Sequence, residues 1–115
     1  MLKLLVALVG LTLAQDQSQS IELDHEQITE PCLKMAAGER LEFSFSASAP
    51  VGFNIHYHEL DDSVHFPVHS DAIASRAGIY IAPLSRTYCL MWTNNHEQTP
   101  VRLEYRYQYY SLDEQ

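Results

Sequence analysis

Residues 53–69 constrain the fold more than any other part of this sequence. On each side of a polar, turn-like LDDS segment, apolar residues alternate with histidines. Such alternation predicts the two strands of a β-hairpin. A four-residue loop over residues 60–63 places His58 opposite His65. One face is then apolar and fixes the register, because a slip of one residue would turn every side chain over. This apolar face comprises Phe53, Ile55, Tyr57, Val64, Phe66 and Val68.

Four histidines project from the opposite face in this register, namely His56, His58, His65 and His69. Directly opposed side chains of paired strands lie about 4.5–5.5 Å apart between Cβ atoms. Three imidazole nitrogens at such spacing can converge on one ion at about 2.0–2.1 Å, and neutral imidazole suits copper and zinc. The sequence therefore predicts a copper or zinc site at His56, His58 and His65, with a fourth ligand or neighbour in His69. Alternatively, these histidines fill the solvated face of an edge hairpin.

The first 14 residues have the pattern of a signal peptide. Lys3 gives a positive start, residues 4–13 form an apolar run, and small residues surround Ala14. The run is too short for a stable membrane anchor, and polar residues follow it. We expect cleavage after Ala14 and a periplasmic or secreted product. The rest divides into an N-terminal segment (15–29), one folded domain (30–110) and a C-terminal tail (111–115).

The chain is acidic, with a formal charge of −8 at neutral pH. This charge argues against nucleic acid and against anionic membrane surfaces, where contact with phosphate supplies most of the affinity. It favours cationic partners weakly. No segment after residue 14 is apolar enough to predict a membrane span, so we expect neither nucleic acid nor membrane as a partner.

The sequence contains two cysteines, Cys32 and Cys89. Two cysteines in an exported domain usually form a disulfide. Closing a loop of this length would stabilise the fold by roughly 4 kcal/mol in the chain-entropy model. The disulfide would also remove both thiolates from catalysis and from metal binding.

Short alternating runs separated by turn residues continue along the whole domain, and helical periodicity is hard to find. A polar loop is predicted over residues 70–76, with at most a short turn near 71–77. Pro67 cannot donate a hydrogen bond to a neighbouring strand, which favours an edge position or a bulge. The pattern predicts an all-β fold, a single antiparallel β-sandwich of seven to eight strands. Strands are expected near residues 21–23, 32–35, 41–45, 79–81, 87–92 and 101–109, besides the hairpin.

The order of these features resembles the GOLD domain, the lumenal β-sandwich of emp-type transmembrane cargo receptors. The matching residues are Cys32, Gly38, Asp61, Asp62, Gly78, Ile79, Tyr80, Tyr88, Cys89, Asn94 and residues 101–105. The resemblance implies a GOLD-like sandwich, a Cys32–Cys89 pairing, and a fold used for protein–protein contact and oligomer formation. The receptors also carry a coiled coil, a transmembrane helix and a sorting tail. None of these is present up to Gln115, so we do not expect cargo transport by that mechanism.

No catalytic triad, Cys-His pair or paired carboxylates occur in a recognisable local context, so we expect a protein that is not an enzyme. The cupin motif also uses His-x-His, but no glutamate stands here at the required spacing. Two hypotheses remain. One is an exported, non-catalytic interaction module whose partner is another protein or a second copy of itself in a homo-oligomer. The other is an exported copper- or zinc-binding protein that uses the hairpin histidines.

Overall fold

The computed structural model describes residues 16–114, which form an all-β fold and confirm the predicted antiparallel sandwich. The predicted signal peptide and its cleavage site lie outside these residues. The strands are β1 (Asp16–Leu23), β2 (Ile28–Thr29), β3 (Cys32–Met35), β4 (Arg40–His58), β5 (Val64–Ile81), β6 (Arg86–Thr93) and β7 (Val101–Tyr110), followed by a 3-10 helix, Leu112–Glu114. Within this range no helix is long and apolar enough to cross a lipid bilayer.

The long hairpin of β4 and β5 organises the sheet. The first part of β4, from Arg40 to Ala47, pairs with β7, and its last part, from Gly52 to Tyr57, pairs with β6. β5 lies along the other edge of β4 throughout. β1 extends the β7 side, whereas β2 and β3 both pair with β6. Because β4 changes partner midway, it contributes to both layers of the sandwich.

The core lies between these layers and is rich in aromatic side chains. Trp92 is fully buried. Its ring centroid lies 5.5 Å from that of Phe45, 5.3 Å from Phe53 and 4.5 Å from Tyr105. On β7 the predicted alternation is observed, with Val101, Leu103 and Tyr105 buried and the intervening charged residues exposed. Burial of such large apolar side chains, at about 1.5–3 kcal/mol each, holds the two layers together.

Three segments of the chain are more extended than the sequence predicts. Residues 70–76, expected as a polar loop or short turn, belong to β5. This strand pairs only with β4, so most of its side chains face solvent and polar residues fit there. The strand expected near residues 41–45 continues through Pro50 as β4, with a register shift between Ser46 and Val51. Residues 16–23 and 28–29, from the predicted N-terminal segment, also form strands of this sheet.

Cys32 and Cys89 stand directly opposite each other on β3 and β6 and are joined by a disulfide bond. This observation confirms the predicted pairing. The bond ties the first residue of a short peripheral strand to a central strand of the sandwich. It also lies beside the hairpin histidines, because Cys89 pairs with His56 on the other side of β6.

Candidate functional site

The closed end of the hairpin differs from the predicted register. His58 pairs with Val64 and Tyr57 with His65, so the loop spans residues 59–63 and is one residue longer than expected. Beyond a bulge, Ile55 pairs with Val68, which is the predicted register. The prediction is therefore right on the far side of the bulge and wrong next to the turn.

This difference moves His65 to the other face of the hairpin. The His65 ring stacks on that of Tyr57, with centroids 5.2 Å apart. Its Nε2 lies 3.5 Å from a carboxylate oxygen of Glu59. His56 and His58 remain together on the opposite face, with ring centroids 5.6 Å apart. The predicted pairing of His58 with His65 is wrong, and these three histidines do not converge.

His69 lies opposite Asn54, on the same side of β4 as His56. Its ring is exposed, and its Nε2 is 3.2 Å from a carboxylate oxygen of Asp71. Of the four predicted ligands, only His56 and His58 have rings in contact with each other. Metal binding by the hairpin histidines stays a prediction.

His56 is buried, in contrast to the solvated position that the sequence predicts. Only 4% of the residue is exposed. Its Nδ1 is 2.7 Å from Oδ1 of Asn54, and its Nε2 is 2.9 Å from Oε2 of Glu30. Phe66 covers the ring, with centroids 5.4 Å apart. The outer face of β4 is thus covered at this point.

We use the name His56 site for the cluster of Glu30, Asn54, His56 and the Cys32–Cys89 disulfide. One ligand atom each from Glu30, His56 and Cys89 lies within 4.8 Å of the other two. The Cys89 sulfur is part of the disulfide and is not a thiolate. In the oxidised protein, the ligand atoms that this cluster offers to a metal are therefore those of the imidazole and the carboxylate.

Sequence reasoning missed Glu30. The signal that would have identified it is its position two residues before Cys32, because residues two apart on an extended chain share a face. Once Cys32 is paired with Cys89, Glu30 lies close to β6 and to the neighbouring strand β4. The carboxylate then reaches His56, which lies on the other side of β6.

A second feature is the loop at the tip of the hairpin, residues 59–63, which we call the tip loop. The Glu59 N–H donates to the Ser63 carbonyl at 2.8 Å, and the Asp62 N–H donates to the Glu59 carbonyl at 3.0 Å. Asp61 Oδ1 accepts hydrogen bonds from the backbone and hydroxyl of Ser63. These bonds hold the pKa of the Asp61 carboxyl below its usual value. Hydrogen bonds within the loop therefore fix its conformation.

The tip loop is also attached to the body of the domain. Arg86 on β6 donates to Oε1 of Glu59 at 3.0 Å from Nε and at 2.7 Å from an Nη nitrogen. Both side chains are about three-quarters buried. Leu60, by contrast, is 97% exposed. The loop thus presents a large apolar side chain, followed by two acidic residues, on a fixed backbone.

Comparison with known proteins identifies the fold. No family model and no curated protein matches the sequence. The crystal structure of Aeromonas hydrophila PliG, a periplasmic lysozyme inhibitor of g-type lysozyme, is similar at a TM-score of 0.59 and 12% identity. The similarity covers 89% of this chain and 92% of PliG. A de novo designed double-stranded β-helix, solved by NMR, matches at a TM-score of 0.41 and 16% identity over 81% of this chain and 97% of its own. At such identity, the likeness to PliG is one of fold.

Proposed function

We propose that this protein is an exported, non-catalytic module that binds a protein partner through its tip loop. The observation that carries the proposal is the exposure of Leu60 on a loop held by its own hydrogen bonds and by Arg86. A leucine side chain that becomes fully buried in a pocket of a partner contributes about 1.5–3 kcal/mol. A preorganised loop also loses little conformational entropy when it binds.

The charges around Leu60 indicate what kind of partner fits. Asp61 and Asp62 follow it directly, and the whole chain carries a net charge of −8. Acidic groups beside an apolar anchor favour a partner with a basic rim around an apolar pocket, and they accelerate its association. The partner is thus a cationic protein.

The shared fold supports a partner like that of PliG. That protein is a periplasmic inhibitor of g-type lysozyme, so a g-type lysozyme is the first partner to test. The disulfide agrees with export to the periplasm or the cell exterior. The GOLD resemblance stays a prediction, and it too favours protein–protein contact, either with another protein or within a homo-oligomer.

The test is calorimetric titration of the mature protein with a g-type lysozyme, alongside an assay of lysozyme activity. Replacing Leu60 with serine should weaken binding at least about tenfold, because burial of a leucine is worth about 1.5–3 kcal/mol. Ile79→Ser is the matched control, since Ile79 is 63% exposed and lies near the far end of β5. Equal affinities of the wild type and Leu60→Ser would show that the tip loop is not the binding site. Absence of binding would reject this partner.

Metal binding is a second candidate function, favoured by the contact between His56 and His58. Their rings are 5.6 Å apart on one face, and Glu30 adds a carboxylate 2.9 Å from the His56 nitrogen. We propose that His56, His58 and Glu30 can bind Zn²⁺ or Cu²⁺ in the oxidised protein. Such a set of two imidazoles and one carboxylate is known from zinc sites.

Titration of the oxidised protein with both metals tests this second proposal. His58→Gln should weaken binding at least about tenfold, since it removes one of three ligands. His65→Gln and His96→Gln should leave the affinity unchanged, because neither ring lies beside His56. Equal affinity for the wild type and His58→Gln would contradict the proposal.

A further inference from the structure

We propose that reduction of the Cys32–Cys89 disulfide creates a zinc site. Its four ligands are the two cysteine thiolates, Nε2 of His56 and the carboxylate of Glu30. This site is independent of the tip loop and does not use His58. It exists only in the reduced protein.

The arrangement of three strands brings these ligands together. Cys32 on β3, Cys89 on β6 and His56 on β4 stand in one row, each directly opposite the next. The ligand atoms of Glu30, His56 and Cys89 already lie within 4.8 Å of one another. In a tetrahedral zinc site, Zn–S bonds of about 2.3 Å and Zn–N bonds of about 2.0–2.1 Å place neighbouring ligand atoms roughly 3.3–3.8 Å apart. Breaking the S–S bond frees the two cysteine side chains to rotate, and this rotation would close the site.

His56 is oriented as a metal ligand requires. Its Nδ1 lies 2.7 Å from Oδ1 of Asn54, and both residues are buried. When Nδ1–H donates to this oxygen, the lone pair of the neutral ring is on Nε2, which lies 2.9 Å from Oε2 of Glu30. Metal-binding histidines commonly donate their second ring nitrogen in this way, which fixes the tautomer and the ring orientation. Asn54 is therefore a positioning residue.

In this proposal a dithiol reduces the disulfide and supplies the two electrons that the reduction requires. One of its thiolates attacks the sulfur of Cys32, which is exposed, and releases the thiolate of Cys89, which is buried beside His56. The second thiol of the reductant then displaces Cys32, so that the reductant becomes a disulfide and the protein gains two electrons and two protons. Zn²⁺ binding subsequently releases both thiol protons.

The experiment compares the oxidised protein with protein reduced by a phosphine, which supplies no competing thiol. Co²⁺ serves as the spectroscopic probe, and Zn²⁺ is then added to displace it. Reduced wild type should bind one equivalent of Co²⁺ with a thiolate charge-transfer band, which is absent from the oxidised protein because both sulfurs are then in the disulfide. Replacing His56 or Glu30 with glutamine should weaken binding at least about tenfold, and Asn54→Ala about 10–100-fold. His96→Gln is the control and should bind as the wild type does, because the His96 ring bonds to the Asp71 carbonyl away from this site.

Two results would overturn the proposal. One is a reduced protein without the thiolate band. The other is equal affinity of the wild type, His56→Gln and Glu30→Gln, which would show that the cysteines alone hold the metal. Far-UV circular dichroism of the same samples covers the case in which reduction unfolds the chain. Zn²⁺ should then restore the β signature, and a reduced chain that stays unfolded with Zn²⁺ also contradicts the site.

Discussion

The two halves of the β4–β5 hairpin differ in the regularity of their register and in the burial of β4. In the regular half, residues 40–46 pair with residues 75–81 without a break in register. Its inward side chains on β4, Leu41, Phe43 and Phe45, are buried, and the residues between them are partly exposed. In the bulged half, residues 53–58 pair with residues 64–70 with one register shift, between Ile55 and Tyr57. There every residue of β4 from 53 to 57 is buried.

The difference arises from what covers the outer face of β4. In the bulged half, the strand lies between β5 and β6, and Glu30, Phe66 and the disulfide pack on or beside its outer face. Polar residues are therefore buried there, and they are satisfied by one another, as Asn54 and His56 are. An alternating pattern thus indicates which residues share a face while the register is unbroken. It does not indicate whether the polar face meets solvent.

Removing the disulfide should have the largest effect and should separate the two halves. Replacing both cysteines with alanine should lower the free energy of unfolding by about 2–5 kcal/mol. The bond joins β3 to β6, and β6 pairs with the bulged half. Amide hydrogen exchange should therefore show more lost protection at residues 53–58 than at residues 40–46. Urea denaturation measures the total change in the free energy of unfolding. An equal loss of amide protection in both halves would contradict the comparison.

An intermediate effect is expected at Glu39, directly before the regular half. Its Oε1 accepts hydrogen bonds from the Tyr109 hydroxyl and, at 2.8 Å, from the Ala36 N–H. The Tyr109 bond is the main reason why the pKa of this buried carboxyl is lowered. A lowered pKa in the folded state adds stability above the unfolded pKa, near 4.3, and this stability is lost as the pH falls through the folded value.

Glu39→Gln should accordingly cost about 1.5–3 kcal/mol at neutral pH, the range for hydrogen bonds to charged groups. The difference from the wild type should shrink as the pH falls below about 4.3. Urea denaturation over this pH range provides the measurement. Tyr109→Phe is the companion variant, because it removes the main hydrogen bond and keeps the ring. A difference that stays constant with pH would show that Glu39 acts through packing alone.

In strands that are paired without a register shift, the alternation of apolar and polar residues was sufficient to predict which side chains are buried. The alternation of β7 predicted its buried face, and two cysteines in an exported chain predicted the bond that links β3 and β6. The hairpin itself, and the inward direction of Phe53, Ile55 and Tyr57, also followed from alternation. Each of these predictions depends on the spacing of neighbouring residues or on the number of cysteines. Both can be read from a single sequence.

The rest depends on contacts between distant segments. The bulge that turns His65 over lies between Ile55 and Tyr57 on β4 and includes Pro67 on β5. Pro67 favoured an edge position or a bulge, and both are observed, but a proline does not indicate by how many residues the register shifts. The burial of His56 depends on Glu30, which arrives from before β3 and is 26 positions away in the sequence. The polar composition of residues 70–76 resembles a loop because an edge strand with solvent on its free side accepts the same residues. Only the assembled sheet distinguishes these cases.

The smallest effects are expected when one glycine in each half is replaced with alanine. A methyl group at Gly78, in the regular half, would lie 3.0 Å from the ring of Phe43, which is buried. At Gly52, on the border of the bulged half, it would lie 3.3 Å from the side-chain amide of Asn95, which is exposed and can move aside. Gly78→Ala should therefore destabilise the fold by about 1 kcal/mol through overpacking.

Gly52→Ala should be neutral or stabilising by up to about 1 kcal/mol, because alanine reduces the entropy of the unfolded chain and meets little resistance. Urea denaturation of both variants beside the wild type measures the difference. If Gly52→Ala were the more destabilising of the two, the bulged half would be packed as tightly as the regular half. Tight packing on both sides would mean that the bulge is fixed by side-chain packing around β4, and the distinction between the halves would then be one of register alone.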